Sequence, residues 1–182
     1  MAVWVSLLRG INLGARNKVP MPVLRDALAK AGFSNVRTYV QSGNVITSSR
    51  HRSPNRVAAV VREVVSEQFG LDLPVVVRSP AQLRAVHEWN PFPDATTDRP
   101  RLVQVLHLFD RPDPTDVAQL LIATRDIPEQ VSVSGEEVVV DYLDTIHATT
   151  LTGPWIAKRL GGIDATARNW RTLTALVELA AD

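Results

Sequence analysis

The chain has 182 residues, of which 45% are apolar and 21% charged, a composition typical of a folded globular protein. It contains no cysteine, which excludes disulfides, thiolate metal sites and a cysteine nucleophile. The net charge of +1 combines +7 up to Arg78 with −6 from Ser79 onward. A basic half indicates an anionic partner, unless it faces the acidic half within the protein.

The first 78 residues predict a ferredoxin-like βαββαβ unit. Apolar runs of strand length occur at residues 3–8, 36–40, 45–47 and 73–77. Helices are predicted from Pro22 and Pro54, because proline suits the first helical turn. Ser53 is the predicted N-cap of the second helix.

Residues 79–182 predict a related but incomplete βαββα unit with C-terminal helices. Ser79 and Gln82 form a predicted capping box, and residues 90–100 are a predicted loop. Strands are predicted at 102–109, 131–133 and 138–143, and helices after Asp113, at 154–160 and from about 167. The predicted class is therefore α/β (α+β), with halves at 1–78 and 79–182.

The common signatures of catalysis and metal binding do not occur in the chain. The four histidines lack metal-ligand spacing, so we expect no metal, and no motif indicates a cofactor. No apolar stretch is long enough to span a membrane, and the N-terminal sequence lacks the features of a signal peptide. We therefore expect no membrane partner and, by elimination, a cytoplasmic location.

The first polar cluster follows the first predicted strand and contains Arg9, Asn12, Arg16, Asn17 and Lys18. Glycines in the same loop would let backbone N–H groups approach an anion closely. We therefore predict that Arg9, Asn12 and Lys18 bind a ligand. The alternative is a solvated loop whose glycines serve only its turns.

The second polar cluster is the predicted hairpin turn that contains Gln41, Ser42 and Asn44. Hairpin chemistry explains Asn44 without any function, so the three residues are secondary candidates. A separation of about 20 Å between this turn and the loop at Arg9 is expected if they lie at opposite ends of six-residue strands. One small-molecule site would then not contain both Arg9 and Asn44.

The third polar cluster is Arg168 and Asn169, followed by Trp170 as a secondary candidate. If Thr166 caps a helix, Arg168 lies in its first turn, where the helix dipole disfavours a cation and an anion binds well. We therefore predict that Arg168 and Asn169 bind an anion together with Arg9 or Lys18. The alternative is a structural ion pair between Arg168 and an acid such as Asp164.

Five segments together resemble the motifs of the bacterial domain-of-unknown-function 1697 family. They are LLRGINLG at 7–14, NKVPM at 17–21, TYVQSGNV at 38–45, NPF at 90–92 and TARNWRT at 166–172. The resemblance covers nearly the whole chain. It implies a two-part α/β architecture and no known activity, since the family is named for lacking one.

Three hypotheses on function follow from these residues. The first is a binding module for an anionic ligand, which would be a nucleotide, a phosphorylated metabolite or a nucleic-acid segment. The second is a small cofactor-independent enzyme that acts on an anionic substrate, although the three clusters contain no acid that could serve as general base. The third is a structural or interaction protein. The sequence does not distinguish among these three hypotheses, and it does not indicate an oligomeric state.

Overall fold

Two four-stranded antiparallel sheets form the framework of the chain in the computed structural model, which describes residues 1–14, 16–147 and 149–181. The chain divides into unit 1, which comprises Met1–Arg84 with Leu176–Asp182, and unit 2, which comprises Ala85–Ala175. Each unit contains one of the two sheets. The predicted α/β class with two similar halves is confirmed.

Unit 1 contains the predicted βαββαβ order. Its elements are β1 (Ala2–Leu8), α1 (Met21–Lys30), β2 (Ser34–Tyr39), β3 (Asn44–Ser49), α2 (Pro54–Phe69) and β4 (Val75–Arg78). The sheet has the order β2-β3-β1-β4, with every neighbouring pair antiparallel. Both helices pack into one apolar core, which also contains residues of β1, β3 and β4.

Helix α2 shows how local sequence signals fix an element of unit 1. Ser53 Oγ accepts a hydrogen bond from Arg56 N at 3.5 Å, and Pro54 is the first helical residue. Gly70 ends the helix in the left-handed conformation, with φ of 66°. Valines at helical spacing form a stripe that is buried against the core, at Val57, Val61, Val64 and Val65.

Unit 2 repeats the same topology. Its strands are β5 (Val103–Leu108), β6 (Gln130–Ser134), β7 (Glu137–Asp141) and β8 (Ala165–Asn169), in the order β6-β7-β5-β8. The helices of this part of the chain are α3 (Pro80–Trp89), α4 (Pro93–Asp98), α5 (Pro114–Ala123), α6 (Gly153–Arg159) and α7 (Trp170–Ala181). The divisions between the units fall within α3 and within α7.

Two sequence-based predictions for the second half are wrong. The predicted loop at residues 90–100 contains α4, which begins at Pro93 with Asp94 in its first turn. The predicted C-terminal helix is present, but its predicted start at about residue 167 falls on strand β8, which completes the second sheet. Residues 165–169 are extended because they pair with β5, and α7 begins only at Trp170.

The registers around the central strands β1 and β5 of the two sheets correspond. Val5 on β1 pairs with Ile46 on β3 and with Arg78 on β4. Val105 on β5 pairs in the same way with Val139 on β7 and with Arg168 on β8. Arg78 and Arg168 therefore occupy equivalent positions in the two repeats.

The buried Tyr142 supports a first prediction. Its hydroxyl donates a 2.8 Å hydrogen bond to Leu151 O in the core of unit 2, and burial raises its pKa to about 12. Tyr142→Phe leaves that carbonyl without its partner, so we expect the free energy of unfolding to fall by about 1–3 kcal/mol at pH 8. Urea denaturation of both proteins measures the difference.

The same pair of proteins tests the pKa of Tyr142. The unfolded tyrosine ionises near pH 10 and the folded one near 12, so the wild type loses this stabilisation as the pH rises through that window. Phenylalanine has no such ionisation, and the difference between the two proteins should shrink between pH 10 and pH 12. A constant difference would contradict the raised pKa.

None of the helices formed by the described residues combines the length and the apolar character that crossing a membrane requires.

Candidate functional site

The loop after β1 and the hairpin turn between β2 and β3 lie side by side in unit 1. Leu7 pairs with Asn44, and Leu8 N donates a 2.9 Å hydrogen bond to Gly43 O. The prediction that the two segments lie about 20 Å apart at opposite ends of the sheet is therefore wrong. Because β3 runs antiparallel to β1, the first residue of β3 meets the end of β1.

Asn12 joins the two segments through its side-chain amide. Its Nδ2 donates to Gln41 O at 2.7 Å and to Val19 O at 3.0 Å, while its Oδ1 accepts from Val19 N at 2.9 Å. Both ends of the amide are thus occupied by backbone groups. Asn12, predicted as a ligand-binding residue, here holds the loop closed and fixes it to the hairpin turn.

A second asparagine closes the loop on itself. Asn17 Nδ2 donates to Gly10 O at 2.8 Å, and Asn17 O accepts from Asn12 N at 3.0 Å. Asn12 and Asn17 have φ of 52° and 49°, in the left-handed region that asparagine tolerates better than most residues. Ala15 lies outside the described residues. The described part of the loop is held by its own hydrogen bonds, before any ligand binds.

The hairpin turn is held by a third asparagine. Asn44 is fully buried, and its Nδ2 donates to Tyr39 O at 3.1 Å and to Ser42 Oγ at 2.9 Å. Val40 in the same turn has φ of 50°, a strained conformation for a β-branched residue. Asn44 therefore shapes the turn, whereas Gln41 and Ser42 are exposed.

The basic side chains of the loop remain at its surface. Arg16 and Lys18 are exposed and Arg9 is half-buried, with its backbone N donating to Pro74 O at 3.1 Å. Neither the loop (residues 9–19) nor the hairpin turn (residues 40–44) contains Asp or Glu. We call these two segments together the loop-and-hairpin surface. Its charge is wholly positive, and asparagine side chains brace its backbone.

Arg168 and Asn169 belong to unit 2 and do not lie in the first turn of a helix. Arg168 is on β8, only 8% exposed, and its Nη1 donates to Thr166 Oγ1 at 2.9 Å and to Ala167 O at 2.8 Å. Burial lowers its pKa to about 10. Asn169 Oδ1 accepts from Thr172 N at 2.9 Å, so Asn169, and not Thr166, makes the side-chain bond at the start of α7, beside the buried Trp170.

Arg78 is a residue that the sequence analysis missed. It is 5% exposed, and its Nη1 donates to the carbonyl of the preceding residue, Val77, at 3.2 Å. Arg168 makes the same bond to its own preceding carbonyl. Each arginine is followed by a capping residue, Ser79 or Asn169, and a helix. The order of arginine, capping residue and helix occurs in both halves of the chain, and this repeat is the sequence signal that could have identified Arg78.

Comparisons with known proteins agree on the fold and name no activity. The family model described as "Protein of unknown function (DUF1697)" matches residues 1–138. The chain is similar in structure to a conserved bacterial protein from Streptococcus pneumoniae, with 20% identity and a TM-score of 0.71 over 100% of this chain and 99% of that one. The curated proteins contain no significant match. At this identity the likeness shows the fold alone.

Proposed function

We propose that this chain, which belongs to the DUF1697 family of proteins of unknown function, is a binding module for an anionic ligand. The ligand classes are a nucleotide, a phosphorylated metabolite or a segment of nucleic acid. The binding site is the loop-and-hairpin surface of unit 1. A cytoplasmic location fits such ligands and stays a prediction.

One observation carries the proposal. The cations Arg9, Arg16 and Lys18 stand on a loop that is cross-braced to the hairpin turn, and neither segment contributes an acid. Like charges on one loop repel one another, and an anion bound among them would lessen that repulsion. A surface that serves only for solubility usually mixes acidic and basic residues, and this loop has only basic ones.

Rigidity makes the grouping useful for binding. A flexible loop would lose conformational entropy when a ligand ordered it, whereas a loop already closed by Asn12 and Asn17 loses little. The exposed Gln41 and Ser42 supply neutral hydrogen-bonding groups next to the cations. In this proposal Arg9, Arg16 and Lys18 contact the anion, and Asn12 and Asn44 are positioning residues.

The test uses the two exposed cations, since their removal disturbs no side-chain hydrogen bond given above. We expect Arg16→Ala/Lys18→Ala to weaken binding of the anion by about tenfold or more, because each lost charge-assisted contact contributes about 1.5–3 kcal/mol. The probes are inorganic pyrophosphate, ATP and a single-stranded RNA oligonucleotide. Isothermal titration calorimetry at low salt measures each dissociation constant.

Lys158→Ala is the matched control, because Lys158 is an exposed lysine of unit 2. It should bind the probe like the wild type. The proposal is wrong if the double variant and the control bind every probe equally well, or if the wild type binds none of them.

A second candidate function is a protein interaction surface. Leu13 is 68% and Val40 55% exposed, and both flank the contact between Asn12 and Gln41. Exposed apolar side chains at a loop tip are typical of docking surfaces. The salt dependence of binding distinguishes an anion site from a protein interaction surface. Salt weakens contacts between charges far more than apolar contacts, so only anion binding should fall steeply with added salt.

A further inference from the structure

A second basic segment lies at the other end of the unit 1 sheet. Ala2, the first residue of β1, pairs with Ser49, the last residue of β3. The connection from β3 to α2 begins there and contains Arg50, His51 and Arg52. It is therefore separated by the length of β1 from the loop-and-hairpin surface at Leu8.

Buried residues fix the backbone of this connection. Trp4, which is 8% exposed, donates from its indole Nε1 to His51 O at 2.9 Å. His51 N donates to the buried Ser49 Oγ at 3.1 Å. With the backbone held at its middle residue, the side chains of Arg50, His51 and Arg52 are all exposed.

Two recesses flank the connection and share Ser49 and Arg50. The larger, of about 620 Å³, is lined by Met1, Ala2, Trp4, Ser49, Arg50 and Arg52. The smaller, of about 240 Å³, is lined by Ala31, Gly32, Phe33, Ser49, Arg50 and His51. Arg50 therefore lies between them, and the larger recess combines an apolar wall with two guanidinium groups.

The charge around the recesses is one-sided. Residues 1–62 contain ten Lys and Arg and a single acid, Asp26. None of the residues that line either recess is acidic. An isolated exposed arginine needs no explanation, but two arginines that line one recess are an arrangement that a phosphate chain matches.

We propose that this cleft, formed by Arg50 and Arg52 with the Trp4 wall, is a second binding site that takes a small organic polyphosphate of the nucleoside di- or triphosphate class. Arg50 and Arg52 both line the larger recess, and the Cα atoms of two residues in an i, i+2 relation are at most about 7 Å apart, so one chain of phosphates bound there has both side chains within reach. The organic part of the ligand lies against Met1, Ala2 and Trp4 in the larger recess.

A small ligand fits better than a nucleic-acid strand. Proteins that bind single strands stack bases on exposed rings, and the indole of Trp4 and the phenyl ring of Phe33 are buried here, at 8% and 5% exposed. Rings buried to this degree can contact a neighbouring ligand group, but they are too little exposed for successive bases to stack on them. The site is independent of the loop-and-hairpin surface and uses none of its residues.

The test is a titration of the protein with ATP and with inorganic triphosphate, in the absence of divalent metal, followed by calorimetry. We expect saturable binding of ATP by the wild type, and a dissociation constant for Arg50→Ala raised by about tenfold or more. Triphosphate alone should bind more weakly than ATP, because it lacks the organic part that the apolar wall contacts.

The control is Arg56→Ala, which removes an exposed arginine on the first turn of α2 that lines neither recess. It should bind ATP within about twofold of the wild type. The proposal is overturned if Arg50→Ala and Arg56→Ala bind ATP equally, or if only a single-stranded RNA binds. It is also overturned if Arg16→Ala/Lys18→Ala, and not Arg50→Ala, abolishes ATP binding, which would assign the nucleotide to the loop-and-hairpin surface.

Discussion

We expect Gly43→Ala to lower the free energy of unfolding by about 2–4 kcal/mol, as the sum of backbone strain and overpacking. Gly43 has φ of 74°, which any side chain disfavours. A Cβ at this position would lie 2.8 Å from Leu8 Cβ and 2.9 Å from Ile11 Cδ1. Leu8 Cβ is fixed to the backbone of β1, so the hairpin turn and the basic loop must move apart.

Gly10→Ala is the matched control for this prediction. Gly10 has nearly the same φ, 73°, but a Cβ there meets nothing within 4 Å. It should therefore cost only the strain of the left-handed conformation, about 1–2 kcal/mol. Chemical denaturation of both variants isolates the steric contribution. Equal losses would contradict the close packing of the loop against the hairpin turn.

The second large effect is expected at the two equivalent arginines. Arg168→Ala and Arg78→Ala should each lower the free energy of unfolding by about 2–4 kcal/mol, since each removes a buried charged group and strands its partners. Arg168 then leaves Thr166 Oγ1 and Ala167 O without its donor, and Arg78 leaves Val77 O. Denaturation at pH 7 measures the loss of stability in both variants. This pH is well below the pKa of about 10 for Arg168, so the arginine is charged in the wild type.

Arg171→Ala is the control, because Arg171 is exposed in the first turn of α7, where a substitution costs less than about 0.5 kcal/mol. The same samples are titrated with pyrophosphate to test whether Arg168 binds an anion. Unchanged stability of Arg168→Ala together with lost ligand binding would contradict a structural role. That result would instead make Arg168 and Asn169 part of a binding site, as the sequence predicts.

Local signals predicted most of the elements correctly. The cap at Ser53, the proline at its first turn and the valine stripe specify α2 without reference to the rest of the chain. The capping box of Ser79 and Gln82 is present, with hydrogen bonds of 2.9 and 3.2 Å. In these places the interactions join residues three or four apart, which the sequence displays directly.

Strand β8 was missed because its conformation depends on a distant partner. Its sequence, ATARN, resembles the capped start of a helix, and only the pairing with β5 keeps it extended. Pairing of this kind overrides intrinsic propensity, and no single-sequence pattern reveals it. The position of Arg168 relative to the helix was mistaken for the same reason.

For the candidate site, the sequence indicated the residues but not their arrangement. Arg9, Asn12 and Lys18 were identified, yet the bond from Asn12 to Gln41 spans 29 residues of sequence. The antiparallel register of Leu7 with Asn44 brings the two segments together, and it follows once β1 and β3 are recognised as neighbours. The role of Asn12 as a brace follows only from the geometry.

The most direct test of the proposed function is amide chemical-shift mapping of the ¹⁵N-labelled protein at low salt. Pyrophosphate, ATP and a single-stranded RNA are titrated separately. We expect at least one of them to shift the amide resonances of residues 10–18 and 41–44 together, because hydrogen bonds link the two segments. If none of the three moves these resonances, the loop-and-hairpin surface does not bind an anionic ligand and the proposal is wrong.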